Sequence, residues 1–364
     1  MTLHLYFARK FTVYFINVFC ILFLFCITAD LANQLRWFSE LTDFKTVVYL
    51  SFLSTPETVY TIMPLIMIFS SIWLFLNLAQ SSELVVARAS GRSGIAFLTG
   101  PIIVSILITS FVLAIFNPIV AITSERYLDQ SNDLKNGGTS VISIGSDGLW
   151  LRQGDDDGYT VIRATSANAI GSIFFNVSFF TYFPDGTPIR RIEAKTAQLG
   201  AGEWRLYSVK EWPLTKRINP EANSKTYRTM MVPTDLTQNQ VKDRFEKPSS
   251  VPVWSLPSTI EQLKSAGFSA RRHEVWLQAE IARPLFLIAM VLLGAAFSMR
   301  HARFGGTGSA VLTAVICGFG LFYVRNFAQV LGESGQLPIL IAVWTPPVAS
   351  VLLGLSIILH LEDG

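Results

Sequence analysis

Residues 139–164 read TSVISIGSDGLWLRQGDDDGYTVIRA, and residues 173–212 read IFFNVSFFTYFPDGTPIRRIEAKTAQLGAGEWRLYSVKEW. Short β-branched and aromatic runs alternate with Ser-Asp-Gly, Asp-Gly and Gly-Ala-Gly, the composition of strands closed by tight turns. The pattern predicts an all-β unit, a sandwich or jelly roll. From Asn219 to Ser258 prolines and polar residues thin the alternation out, and residues 259–284 then turn helical, with Gly267 as a candidate break.

The flanks of this unit are of another kind. Three apolar runs precede it (Phe11 to Ala29, Thr58 to Ala79, Ile95 to Thr123) and three follow it (Val275 to Met299, Thr307 to Leu331, Leu337 to Leu359). Each approaches the ~20 residues that a helix needs to cross a bilayer core. Hydrophobic residues make up 51% of the 364, too many for an ordinary soluble enzyme. The predicted fold is therefore a six-span helical membrane protein with an inserted, jellyroll-like all-β domain. Residues 1–123 hold spans one to three, 124–274 the β-domain with a helical return segment, and 275–364 spans four to six. The first run is longer than a signal-peptide core and lacks a clear cleavage site, so it is expected to remain as a span.

Charge fixes the orientation. The short segments on one side carry Arg9 and Lys10, Arg88 and Arg92, and Arg300 and Arg303, whereas those on the other carry Arg36 and Lys45, then Glu333. By the positive-inside rule both termini are cytoplasmic and the β-domain lies outside the cytoplasm. A net charge of +3 with no basic-aromatic tract gives nucleic-acid binding no support. Cys20, Cys26 and Cys317 lie inside apolar runs and the four histidines have no ligand spacing, so neither a disulfide framework nor a metal is expected. Asp155, Asp156 and Asp157 do not follow the calcium-loop spacing and read as a solvated turn. No nucleophile, base and carboxylate assemble into a catalytic signature.

Between the second and third spans lies SSELVVARASGRS, residues 81–93. Ser81 or Ser82 is a helix cap, Glu83 suits the positive end of the helix dipole, and Gly91 is a stop; Leu84, Ala87 or Arg88, and Gly91 share a face. The segment reads either as an interfacial turn whose arginines meet anionic headgroups, or as a peg for a cytoplasmic partner. No phosphate-binding G-x-x-x-x-G-K-[ST] run occurs, so an energy source for any uphill transport has to be another chain.

Five further cations invite a reading. Arg36 follows the first span, and Arg271 and Arg272 precede the fourth; each is either an interface anchor or part of a basic rim for an anionic ligand. Glu280 and Arg283 stand i, i+3 on one helix face. Arg325 lies within the fifth span, about 9 Å from its end at 1.5 Å per residue, where a charge either snorkels or faces a cavity.

The run SELVVARASG, the β-rich insertion between spans three and four, and LPILIAVWTPPVASVLLGL at residues 337–355 resemble the LptF/LptG (YjgP/YjgQ) permease family over essentially the whole chain. The Ser-Glu-Leu-Val-Val stretch and Asn33-Gln34-Leu35-Arg36 are more similar to its LptG branch. The resemblance implies a non-catalytic permease subunit of an ATP-driven exporter in a Gram-negative inner membrane, extracting lipopolysaccharide and passing it to a periplasmic bridge. It implies a heterodimer with an LptF-like paralogue, an LptB ATPase dimer that hydrolyses the ATP, and connection through LptC to LptA, with no cofactor on this chain. Residues 81–91 then correspond to the coupling helix, with Ser82, Glu83, Leu84, Arg88 and Gly91 facing the ATPase. Arg36, Arg271, Arg272 and Arg325 become contacts for substrate phosphates, Arg325 on a gate helix. The chain departs from the family at Arg88, where some members are uncharged, and at Asp30, where some carry a basic residue. A scaffold or signalling subunit that answers an ATPase without moving lipid is the alternative.

Overall fold

The computed structural model describes residues 2–81, 83, 94–136, 141–145, 148–155, 158–168, 172–200, 202–214, 219–234, 236, 247–265, 269–299 and 307–363. The chain divides into two compact units: Met1–Leu128 with Ser249–Val253 and Glu274–Gly364, and Asp129–Pro248 with Trp254–His273. The described helices are α1 (Thr2–Phe38), α2 (Phe44–Thr61), α3 (Met63–Gln80), α4 (Gly94–Phe111), α5 (Asn117–Asn136), α6 (Leu256–Ser265), α7 (Arg271–Ser298), α8 (Thr307–Glu333) and α9 (Ile339–Asp363), with a π-helical turn at Val112–Phe116 joining α4 to α5. Six are long and apolar enough to cross a membrane: α1, α3, α4 with α5, α7, α8 and α9. An inserted antiparallel β-domain lies between the third and fourth of them.

The second span differs from its sequence boundary. The apolar run from Thr58 straddles a junction: α2 ends at Thr61, Ile62 leaves helical geometry (φ −87°, ψ 4°), and α3 restarts with Pro64 in its first turn. A proline there costs nothing, because a first-turn N–H has no intrahelical partner. Helix α2, absent from the sequence reading, packs along α1 and buries Val47, Leu50, Leu53, Val59 and Tyr60.

Burial sorts the spans. In α3 and α7 most of the span is buried (67% and 72%), whereas α1 and α8 bury about a fifth (17% and 22%). The central pair approach closely at Gly294, where an added Cβ would stand 2.7 Å from the Ser71 Cβ and 2.9 Å from the Ile68 carbonyl oxygen. Ser71 Oγ donates to the Val291 carbonyl at 2.7 Å. Small residues let backbones meet where lipid offers no hydrophobic drive to associate. Around them Phe75, Leu78, Phe286, Met290 and Leu293 form the core.

The β-domain is one seven-stranded antiparallel sheet in chain order: β1 (Val141–Gly145), β2 (Gly148–Asp155), β3 (Gly158–Ala167), β4 (Ile173–Tyr182), β5 (Pro188–Leu199), β6 (Glu203–Pro213) and β7 (Lys225–Pro233). The described strands form an up-and-down meander, a simpler connection than the crossed Greek keys of a jelly roll. Strand β7 lies where the sequence pattern thins out; as an edge strand it buries only Val232 fully, so it has little alternation to read. One inward row is Leu149, Ala164, Val177, Ala194 and Val209 in register, all buried. The next is Ala167, Phe174, Ala197 and Leu206, three residues on in each strand instead of two. The face therefore flips along a crease, at which Asn176 (φ 50°) and Ser208 (φ 54°) adopt left-handed backbone. Because β3 to β6 all carry the extra step, pairing resumes without a shift. Trp204 fills the interior edge-on to Phe174 (5.2 Å) and Phe179 (5.8 Å).

Candidate functional site

A polar cluster is built inside the otherwise apolar membrane unit. On α7, Arg283 grips the Glu280 carboxylate with two bonds, Nη2 to Oε1 at 2.6 Å and Nε to Oε2 at 3.0 Å, so the i, i+3 ion pair read from the sequence is present. The last turn of α2 closes over it: the guanidinium lies 3.9 Å from the Tyr60 ring centroid, Nη1 donates to the Tyr60 carbonyl at 3.2 Å, and Tyr60 Oη donates to Glu280 Oε2. Asn117, first residue of α5, donates to Tyr60 Oη at 3.0 Å and accepts the Val253 N–H at 2.8 Å. Glu57 on α2 accepts from Ser124 (3.0 Å) and Ser249 (2.8 Å). The returning segment 249–253 is thus fastened to the helices by Asn117 and Glu57. Buried polar groups are tolerable only when so satisfied.

Arg325 joins this cluster from α8. It is buried, its guanidinium 5.1 Å from the Phe286 ring centroid, within electrostatic reach of Arg283, Glu280 and Tyr60. Among the described residues no carboxylate pairs with it directly. Glu280 and Arg283 balance one another, and Arg325 adds a further positive charge to the interior, where charge is costly and attracts an anion.

The other cations are placed differently. Arg36 is exposed in the last turn of α1; Arg271 and Arg272 open α7, the first half-buried and the second exposed, and they belong to the other compact unit. Asp30 accepts from Thr58 Oγ1 at 3.2 Å, so the acidic residue is tied to α2. Sequence reasoning missed Tyr60, Glu57 and Asn117. The available signal was Asn117-Pro118 in mid-span: an amide before a residue without an N–H, where the helix has to open and a polar side chain can fill the gap. The π-helical turn ends immediately before it.

Of the residues expected to form the coupling helix, Ser82, Leu84, Arg88 and Gly91 lie outside the described residues. Glu83 is described, and α1 holds it. Lys10 Nζ stands 2.9 Å from Oε1 and 3.0 Å from Oε2, and Tyr6 Oη donates to Oε2 at 2.9 Å. Burial works to raise the Glu83 carboxyl, but hydrogen bonds from Lys10, Tyr6 and Ser81, with the Lys10 charge, outweigh it and hold the group below its ordinary range.

Residues 5–360 match the family model described as lipopolysaccharide export system permease LptF/LptG. The chain belongs to the LptF/LptG permease family. Among LptF/LptG relatives, the lipopolysaccharide export system permease protein LptG of Haemophilus influenzae is 25% identical over 300 residues, covering 80% of this chain and 78% of that protein. The protein of the same name from Escherichia coli K12 is 27% identical over 311 residues, covering 83% and 79%. An LptF/LptG chain with six apolar helices is a multi-pass membrane protein, and its family is one of permeases.

Proposed function

We propose that this chain is the LptG-like permease subunit of an ATP-driven exporter that lifts lipopolysaccharide out of the inner membrane and delivers it to a periplasmic bridge. The observation that carries the reading is Arg325: within a family of lipopolysaccharide permeases, a buried cation with no carboxylate paired to it among the described residues sits in a span that is mostly exposed. Lipid A is an anchored phosphoglycolipid, and a guanidinium in a partly dry cavity binds phosphate by charge-assisted hydrogen bonds far more firmly than one in water. Glu280 and Arg283 hold the floor of this site. Arg36, Arg271 and Arg272 act as outer contacts for substrate phosphates.

Membership of a lipopolysaccharide export permease family supports the following partners. An LptF-like paralogue completes the cavity by covering the lightly buried spans, and an LptB ATPase dimer engages the cytoplasmic connection at residues 81–91, where Ser82, Glu83, Leu84, Arg88 and Gly91 stand. LptC, and through it LptA, receives lipid from the β-domain, whose edge strands are suited to extending a sheet onto another chain. Both termini are cytoplasmic and the β-domain periplasmic, as the arginine and lysine bias favours. No cofactor is assigned to this chain.

The experiment is purification in mild detergent with mass spectrometry of co-purifying chains and lipid. A soluble ATPase, a second six-span chain and bound lipopolysaccharide are the expected result, with lipid crosslinking reduced in Arg325→Met. Recovery of the chain alone and lipid-free, under conditions that keep other membrane complexes intact, overturns the exporter and favours a scaffold.

A further inference from the structure

The Glu83 clamp is half of a larger arrangement. The connection between α3 and α4 is fastened to α1 at both of its ends. At its leading end, Glu83 is gripped by Lys10 and Tyr6. At its trailing end, Thr99 Oγ1 and His4 Nδ1 share a hydrogen bond of 2.5 Å, one turn of α1 earlier. Beside that bond the backbones touch: a Cβ on Gly100 would stand 2.6 Å from the His4 carbonyl oxygen and 3.1 Å from the Ala8 nitrogen. Phe7 lies edge-on to Phe97 at 5.8 Å, and Phe7, Phe11, Phe97 and Leu98 are all buried. A displacement of either flank therefore cannot leave α1 behind without breaking an ion pair, a hydrogen bond and a packed aromatic contact.

The rest of α1 runs on from the clamp and packs along α2, with Asp30 accepting from Thr58 Oγ1 at 3.2 Å. It is a single helix of 37 residues, about 55 Å long against a hydrocarbon core of ~30 Å, and its span is only 17% buried. A continuous helix clamped at its first turns and bonded to α2 further along carries a movement from the clamp to the far side of the membrane.

We infer that the first three turns of α1 receive the stroke of the cytoplasmic connection, with Lys10 and Tyr6 as positioning residues acting through Glu83 and with His4 and Gly100 seating the other end. This rests on the exporter reading and assigns it a part that the ATPase groove alone does not: Glu83 works toward its own chain. The Glu83 side chain is 34% exposed and that of Lys10 24%, so the pair is accessible enough to be remade by charge reversal.

The test uses the full complex with its ATP-hydrolysing subunit in phosphatidylethanolamine/phosphatidylglycerol vesicles loaded with lipopolysaccharide. Lys10→Glu and Glu83→Lys each lower the lipid released per ATP hydrolysed by about fivefold, the low end of coupling between linked sites, and the Lys10→Glu/Glu83→Lys pair restores it. Hydrogen exchange at residues 4–11 rises in each single variant and returns in the pair, a readout that needs no transport. A silent Lys10→Glu with an unrescued Glu83→Lys overturns the inference, because Glu83 then serves the ATPase alone. If the unmodified complex releases no lipid on ATP, the exporter reading fails, and the exchange pattern still decides for or against the clamp.

Discussion

Removing the Glu280 carboxylate is the sharpest test of the buried cluster. Glu280 is fully buried and accepts two charge-assisted bonds from Arg283 and one from Tyr60 Oη. Hydrogen bonds to charged groups contribute ~1.5–3 kcal/mol each, and breaking a buried pair by deleting one partner costs about 3–5 kcal/mol, because the survivor is left charged and dry. In Glu280→Ala the like charges of Arg283 and Arg325 lose the carboxylate that acts on both, so the upper half of that range is expected. For a unit of this size about 2–4 °C of melting temperature accompanies each kcal/mol, which places the loss at about 8–20 °C. Arg325→Met moves the other way: it deletes the excess cation, keeps the aliphatic packing on Phe286, and leaves Glu280 and Arg283 neutral as a pair, so melting is unchanged or rises. The assay is thermal unfolding of the detergent-solubilised protein followed by tryptophan fluorescence. A Glu280→Ala shift under about 2 °C, or both variants destabilised alike, refutes the electrostatic account.

Other outcomes follow from single contacts. Asn117→Leu leaves the Val253 N–H without its acceptor and costs ~1–3 kcal/mol, seen as faster proteolysis at residues 247–256 with α3 and α7 still protected. Gly294→Val drives a branched side chain into Ser71 and the Ile68 carbonyl and destabilises by about 1–3 kcal/mol or more, read by the same melting assay. Ser208→Gly relieves a left-handed backbone in the sheet crease and stabilises by roughly 1 kcal/mol, whereas Ser208→Val destabilises; denaturant unfolding of the full chain distinguishes them. The pH dependence of the Glu83 clamp has a defined sign. Its carboxyl is depressed from 4.5, so the stabilisation is complete above that value and lost only as pH falls through the lower folded value; hydrogen exchange at residues 4–11 stays constant from about pH 8 to about pH 5.5.

The spans and the β-domain were legible in the sequence because each is written in a periodicity or a run length: apolar blocks near 20 residues, and strands closed by Gly-containing turns. What escaped was whatever depends on a partner distant in sequence. Helix α2 hid because FKTVVYLSFLSTPETVYT is only half apolar and is stabilised by lying along α1. The crease hid because RATSA, FNVSF and LYSVK each hold an ordinary polar step, and only the alignment of those steps across the strands makes a bend. Glu280 and Arg283 were readable as an i, i+3 pair, whereas Tyr60 and Asn117, at separations of 220 and 57 residues from the groups they bond, were not.

The two clusters also explain why an intramembrane arginine can persist in a chain that shows so little other polarity there. A lone buried cation destabilises its fold, and selection for stability alone would replace Arg325 by an apolar residue of the same length. Its neighbourhood is organised to tolerate the charge without cancelling it: Phe286 offers a ring face, and Glu280 is nearby but committed to Arg283 on two of its bonds. In the proposed exporter this site receives an external anion, and the binding of one returns part of the cost of holding the cation dry. An anionic amphiphile that enters between spans lowers the energy of the unit at this point. Its departure needs work from elsewhere, and in the proposed exporter α1, clamped to Glu83 and Thr99 in its first turns and packed along α2, is the element that delivers it.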